Sequence, residues 1–174
     1  MGVAPAQMGL PRYCAWVALA LGLVVLDLWT KHLASTQLDL YRAQPITSWL
    51  NLTLAHNSGA AFSFLAGAGG WQRWFLSGAA VVIMAILLVW LKRLPNNARL
   101  LPAAIALVLS GALGNLVDRV RFGYVVDFID VHVAGYHWPA FNIADSAIVV
   151  GVILILIEGF VPRDKNPDPP SSTQ

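Results

Sequence analysis

Charged residues are scarce in this chain of 174 residues. Asp, Glu, Lys and Arg together make up 11% of it, whereas 57% of its residues are hydrophobic and its mean hydropathy is +0.65. An ordinary soluble domain contains about 25% charged residues, so this composition excludes a soluble globular protein and indicates an integral membrane protein. The net charge of +2 is small and spread along the chain, which gives no reason to expect a nucleic-acid partner.

Cysteine and metal-binding patterns are also lacking. The single cysteine, Cys14, cannot form a disulfide within the chain. The four histidines show no His-Glu-x-x-His pattern or equivalent cluster, so we expect no metal and no other cofactor. No histidine lies in the hydrophobic segments that contain Ser77 and Ser110, which argues against a serine hydrolase.

Long apolar segments are present instead. A helix needs about 20 predominantly apolar residues to cross roughly 30 Å of hydrocarbon, and four segments approach that length. They run approximately from Tyr13 to Ala34, from Trp74 to Leu91, from Leu100 to Val117 and from Asn142 to Val161. No small-x-small cleavage site closes the first segment, so we expect a retained helix rather than a signal peptide. The predicted fold class is an α-helical integral membrane protein with four transmembrane helices.

Positive charges predict the orientation of these helices. Lys92, Arg93 and Arg99 flank the short turn between the second and third segments. Because cytoplasmic connections are enriched in Lys and Arg, this turn is expected inside the cell, and with four helices both termini are then cytoplasmic. Two long connections, at about 35–73 and about 118–141, are therefore expected on the extracytoplasmic side.

The two outer connections differ in their patterns. In the first, Leu50, Leu52 and Leu54 alternate with less apolar residues, a period of two that predicts a strand in a small extracytoplasmic β-sheet. The second contains Tyr136 and Trp138, which are typical of the headgroup layer, and we expect it to be an interfacial loop.

We predict a single membrane domain over residues 1–162. The remaining residues, 163–174, are polar and Pro-rich, which predicts a disordered cytoplasmic tail. Gly67, Gly69 and Gly70, close to the second segment, would permit a hinge in the first outer connection.

Two aspartates lie where a chain this apolar would avoid them. Asp127 is in the apolar run from Tyr124 to Ile129, and Asp145 is near the start of the last segment. Carboxylates beside hydrocarbon are costly and usually functional. If the two lie close together they share one proton, so one can activate water while the other protonates a carbonyl. Other polar residues expected on the same side are Asp27, Lys31, Asn57, Asn115, Asp118, Arg119 and Asn142.

The roles of these other polar residues stay open at this stage. Asp27 and Lys31 have the i,i+4 spacing of an ion pair, which serves either helix packing or the chemistry. Asp118 and Arg119 are adjacent and diverge on a helix, so each needs its own partner. Arg119 either orients a catalytic or substrate group or holds the following loop. The three amide side chains either bind a peptide backbone or link helices and loops.

The motifs that contain these residues resemble those of the bacterial lipoprotein signal peptidases (signal peptidase II). The matching runs are Asn57-Ser-Gly-Ala-Ala-Phe-Ser63, Gly114-Asn-Leu-Val-Asp-Arg119, Val125-Val-Asp-Phe128, Phe141-Asn-Ile-Ala-Asp145 and the pair Asp27-x-x-x-Lys31. They occur in the family's order over about Tyr13 to Val161. One difference is Leu28, where a glutamine often follows the aspartate.

The resemblance implies an aspartic endopeptidase of the bacterial inner membrane, with its active site near the extracytoplasmic face. Such enzymes cleave the signal peptide of a prolipoprotein just before a diacylglyceryl-modified cysteine, work among membrane lipids, and are blocked by globomycin-type peptide inhibitors. Asp127 and Asp145 match the catalytic pair. The positions that match the substrate groove are Asn57, Gly59, Asn115, Arg119 and Asn142, and those that match structural support are Asp27, Lys31 and Asp118.

Two other functions compete with this one. A small proton-coupled transporter would also use intramembrane aspartates, but it predicts a polar path through the bilayer, and the inner half offers only Glu158. A noncatalytic assembly factor could pack small residues such as Ser77 and Gly78 against a partner helix, but it leaves the paired acids without a purpose.

Overall fold

The computed structural model describes residues 7–59 and 69–160, and this part of the chain contains four helices and four strands. The helices are α1 (Leu10–Gln37), α2 (Trp71–Arg93), α3 (Leu100–Phe122) and α4 (Ile143–Phe160). The strands are β1 (Ala43–Pro45), β2 (Leu50–Asn57), β3 (Val125–Val133) and β4 (Tyr136–His137). Each helix is long and apolar enough to cross a membrane, so the predicted fold class is confirmed. The predicted tail, 163–174, and Gly67 lie outside the described residues.

Helix α3 is the centre of the bundle. It is mostly buried and packs against the other three helices, which expose most of their apolar side chains as lipid-facing helices do. Glycines make the α3–α4 contact close, because a Cβ on Gly111 would collide with the carbonyl oxygen of Ala144. A Cβ on Gly151 would lie 2.7 Å from the carbonyl oxygen of Ala104.

At the end of the bundle predicted to be cytoplasmic, the chain before α1 is tied to the cationic turn between α2 and α3. The backbone N–H of Met8 donates to the carbonyl of Leu94 at 2.8 Å, and Lys92 Nζ donates to the carbonyl of Met8 at 2.8 Å. Arg12 donates to the carbonyl of Ala98 at 2.7 Å. Lys92 and Arg12 therefore satisfy backbone carbonyls and connect the chain before α1, and α1 itself, to this turn.

At the opposite end, the strands form one antiparallel sheet in the order β1-β2-β3-β4. Strand β2 begins at Leu50, as its alternating leucines predicted. The second outer connection, expected to be a loop, instead extends α3 to Phe122 and then supplies β3 and β4. The hairpin between those strands turns at Ala134 and Gly135, whose φ angles of 51° and 83° suit a tight two-residue turn.

The sheet docks on the outer end of α1. Ala34 of this helix packs with Leu54 of β2 and with Val126 and Phe128 of β3 in a buried apolar cluster. The first half of β3 is thereby held against the helix ends, and Asp127 lies in it.

Candidate active site

Backbone pairing brings the start of α4 to strand β3. Phe141 exchanges backbone hydrogen bonds with Ile129, at 3.0 Å and 2.8 Å, just two residues after Asp127. This pairing places the next residue, Asn142, beside Asp127 and directly before α4.

Asn142 contacts both predicted catalytic aspartates. Its Nδ2 donates to Asp127 Oδ1 at 2.7 Å, and its backbone N–H donates to Asp145 Oδ2 at 3.3 Å. The residue is fully buried, with 0% of its surface exposed. The side chain and the backbone of this one residue therefore join the two carboxyl groups, whose contact the sequence left open.

Helix capping explains why Asp145 points back toward Asn142. The Oδ1 atom of Asn142 accepts the backbone N–H of Asp145 at 2.8 Å, while the Asp145 carboxylate accepts the backbone N–H of Asn142. This reciprocal arrangement is a capping box, with Asn as the N-cap and the acidic residue three positions later. A carboxylate in the first helical turn is also stabilised by the positive end of the helix dipole.

Asp127 is the more buried of the pair, with 2% of its surface exposed. Besides Asn142, it accepts a hydrogen bond from Asn57 Nδ2, on β2, at 3.2 Å. Burial, and then the nearby charge of Asp145, raise the pKa of Asp127 to about 7, although the two amide hydrogen bonds and Lys31 act in the opposite direction.

Asn115, on α3, connects the pair to a buried cation. Its Nδ2 donates to Asp145 Oδ1 at 2.7 Å, and its Oδ1 accepts from Lys31 Nζ at 2.9 Å. A weaker contact of 3.3 Å comes from the Nδ2 atom of Asn142. The Asn115 amide thus has the orientation that its two different neighbours require, with a carboxylate on the donor side and an ammonium on the acceptor side.

Lys31 is the cation at the centre of the remaining support residues. Its Nζ lies 2.8 Å from Asp27 Oδ2, the i,i+4 pair expected from the sequence, and 3.1 Å from Asp118 Oδ2. The contact with Asp118 joins α1 to α3 and was not predicted. The glycine at position 114 makes this close approach possible, since a Cβ there would collide with the Asp27 carboxylate.

Arg119 reaches the first outer connection. Its Nη2 donates to the carbonyl of Gly59 at 3.0 Å, and its Nη1 makes a long contact of 3.4 Å with the carbonyl of Asn115. Gly59 is held in turn by Asn57, whose Oδ1 accepts its backbone N–H at 3.0 Å. The buried Nε of Arg119 has no hydrogen-bond partner among the described residues. Arg119 thus holds the preceding connection through Gly59.

All ten residues singled out from the sequence therefore belong to one connected network. Sequence reasoning gave Gly114 no role of its own, although this residue begins one of the motifs that resemble the family. It also missed a second polar cluster around Asp130, which accepts hydrogen bonds from Asn51, Thr53 and His137. Burial raises the pKa of Asp130, but the hydrogen bonds from His137, Asn51 and Thr53 outweigh it and hold that pKa below its usual value.

The network contains carboxylates, amides and two cations. In residues 7–59 and 69–160, no group of three or more His, Cys, Asp or Glu side chains is arranged to hold a metal ion. What the arrangement offers chemically is a pair of carboxyl groups joined by Asn142, next to amide donors and an arginine.

Comparison with known proteins gives consistent results. The family described as Signal peptidase (SPase) II matches residues 19–161. The lipoprotein signal peptidase of Acinetobacter baylyi is 53% identical over 150 residues, covering 86% of this chain and 84% of that protein. The lipoprotein signal peptidase of Cupriavidus necator is 49% identical over 143 residues, covering 82% of this chain and 81% of that protein.

A solved structure agrees with the fold. A bacterial membrane enzyme determined by the in meso method at 2.3 Å resolution superposes with a TM-score of 0.77 at 32% identity, covering 95% of this chain and 99% of that one. With four membrane-spanning helices, the chain is a multi-pass inner-membrane protein, and the transporter alternative has no support. It belongs to the signal peptidase II family, a family of aspartic peptidases.

Proposed function

We propose that this protein removes the signal peptide from diacylglyceryl-modified prolipoproteins, cutting just before the lipidated cysteine, with Asp127 and Asp145 as its catalytic pair. Family membership and the relatives named lipoprotein signal peptidase support the reaction. The observation that carries the assignment of the pair is Asn142, which donates one hydrogen bond to each carboxyl group.

The pair hydrolyses the peptide bond without a covalent intermediate. The ionised carboxylate accepts a proton from water as the water oxygen attacks the scissile carbonyl carbon, and the protonated partner donates its proton to the carbonyl oxygen. In the resulting gem-diol intermediate, the C–N bond breaks as the leaving nitrogen takes up the proton that water had given. One hydroxyl of the intermediate returns its proton to the other carboxylate as the C=O bond re-forms. The pair returns to its starting state with one shared proton.

The surrounding polar groups divide into two sets. Asn115 and Asn142 direct their amide hydrogens to the carboxyl groups, and so orient the pair that the substrate meets. Arg119 and Asn57 meet at Gly59, whose carbonyl accepts from Arg119 and whose N–H donates to Asn57, and these three residues form one side of the groove proposed for the peptide. Globomycin-type peptides would occupy the same groove.

We further propose that both termini are cytoplasmic and that the site faces the extracytoplasmic side. The cationic turn between α2 and α3 supports this orientation, because the pair lies at the opposite end of α3. The substrate then enters from the side, and its acyl chains remain among the membrane lipids.

The test is cleavage of a purified diacylglyceryl-modified prolipoprotein and of its unlipidated counterpart. Asp127→Asn and Asp145→Asn should each abolish cleavage of the lipidated substrate, since the pair then lacks either its base or its shared proton. Asp39→Asn, at an exposed ion pair with Arg42, is the matched control and should retain full activity. Turnover by either catalytic variant, or equal cleavage of the unlipidated protein, would contradict the proposal.

A further inference from the structure

Each of the two proposed catalytic aspartates follows a residue whose backbone N–H is held by a second carboxylate. The N–H of Val126 donates to Asp118 Oδ2 at 3.1 Å, and the N–H of Ala144 donates to Asp27 Oδ1 at 2.9 Å. These holding carboxylates come from α3 and α1, so the backbone just before each catalytic residue is fixed from a neighbouring helix.

A single ammonium group joins the two holding carboxylates. Lys31 Nζ lies 2.8 Å from Asp27 and 3.1 Å from Asp118, and it donates to Asn115 at 2.9 Å. Lys31 therefore makes a hydrogen bond to the Asn115 amide and ion pairs with the two carboxylates. The side chains of the ion pairs are only 2–3% exposed, so these charges are shielded from bulk solvent.

Such a cluster holds its geometry tightly. Burying an ammonium costs much desolvation energy, which is recovered only when every partner is in place at close range. Asp118 links β3 to Lys31, and Asp27 links the start of α4 to Lys31. Movement of either segment would therefore lengthen a contact in the cluster. The cluster therefore resists changes in the distance between the two chain segments that carry the catalytic pair.

We propose that Lys31 is a positioning residue, which holds Asp127 and Asp145 at their working separation through Asp118 and Asp27. This inference rests on the proposed function, because it assumes that those two aspartates carry out the reaction. Lys31 itself need not touch the substrate.

Lys31 also contributes an electrostatic effect at Asp127. The charged groups around Asp127 are Asp145 from α4, Lys31 from α1, and Arg119 with its neighbour Asp118 from α3; β2 contributes the neutral Asn57. Burial and Asp145 raise the pKa of Asp127, whereas Lys31 lowers it. Removal of the Lys31 charge should therefore let the pair keep its shared proton to a higher pH.

The experiment compares Lys31→Met, Lys31→Arg and Lys92→Met in the full-length protein in lipid nanodiscs. In Lys31→Met, kcat should fall about 100-fold with little change in KM, because misplaced catalytic groups lose rate rather than binding. The alkaline limb of its pH–rate profile should move up by about one pH unit. Lys31→Arg keeps the charge but not the compact geometry, so its kcat should fall while the limb stays in place.

Lys92→Met is the matched control, since it removes a lysine that donates to a backbone carbonyl at the other end of the bundle. Its kcat and the alkaline limb of its pH–rate profile should equal those of the parent protein. A thermal unfolding curve followed by tryptophan fluorescence checks that each variant is folded.

If Lys31→Met does not fold, Asp118→Asn and Asp27→Asn serve instead, because each keeps an oxygen for the backbone N–H. Each of these substitutions removes a negative charge, so the alkaline limb of the pH–rate profile should move to lower pH. This is the opposite of the shift expected for Lys31→Met. An unmoved limb and an unchanged kcat in the folded variants would overturn the positioning role. If kcat and the pH–rate profile were unchanged in these variants while Asp127→Asn stayed inactive, the proposed function would stand and only the positioning role of Lys31 would fall.

Discussion

At the scale of single residues, the two carboxyl groups of the pair are made unequal by their surroundings. Asp127 lies within a strand and is buried, whereas Asp145 is half-buried at the positive end of a helix. Apolar surroundings disfavour a charged carboxylate, so burial favours the protonated form of Asp127. In the proposed mechanism, Asp127 therefore serves as the acid.

This assignment predicts the pH dependence of the parent enzyme. The folded-state pKa of Asp127 is raised to about 7, so the proton is present below that pH and is lost above it. Once both groups are ionised the carbonyl oxygen has no proton donor, and kcat should decline above about pH 7. Initial rates on a lipidated substrate between pH 5 and pH 9 measure this decline. A rate that keeps rising to pH 9 would rule out Asp127 as the acid.

At the scale of helices and strands, small residues decide how closely the elements approach. Gly114 gives Asp27 the space to reach across from α1, whereas Gly78 on α2 has no atom within 4 Å of the place a Cβ would occupy. The same substitution at these two glycines should therefore have opposite effects.

Gly114→Ala should destabilise the protein by about 1–3 kcal/mol, the usual cost of overpacking, and should lower kcat because Asp27 is displaced. Gly78→Ala should be neutral or stabilising by up to about 1 kcal/mol, since alanine favours the helix. Thermal unfolding in detergent and single-substrate kinetics measure both effects. Equal behaviour of the two variants would show that the space at position 114 is not needed.

Sequence patterns predicted some elements of secondary structure but missed others. Length and hydropathy were sufficient for the four helices, and alternation was sufficient for β2. Strand β3 was missed because Val125–Phe128 is buried on both faces, so its residues do not alternate between polar and apolar. The Asp27–Lys31 pair followed from local spacing, but the Asp118 contact joins residues 87 positions apart, and no local pattern encodes such a distance.

At the scale of the whole molecule, the polar network collects at one end of the bundle and the cationic turn at the other. The resemblance to a known family, together with the parity of four helices, was enough to place the network on one side. What the sequence could not give was the joining of Asp127 to Asp145 through Asn142, since that depends on the docking of β3 beside the start of α4.

Single-cysteine labelling tests the proposed topology. In a Cys14→Ser background, Gln44→Cys on β1 should react with a membrane-impermeant maleimide in spheroplasts, because the proposed topology puts that strand outside the cell membrane. Asn97→Cys in the turn between α2 and α3 should react only after lysis. Both positions are exposed in the folded protein, so a difference in labelling reports the side of the membrane. Reversed labelling would invert the orientation.

The capping box at the start of α4 has a practical consequence for capturing the enzyme with its substrate. Because Asp145 is both a proposed catalyst and a helix cap, its replacement by alanine would remove the reaction and loosen the helix start together. Asparagine keeps an oxygen for the Asn142 N–H. Asp145→Asn is thus the variant to choose as a substrate trap, since it should stay intact enough to bind an uncut prolipoprotein for structure determination.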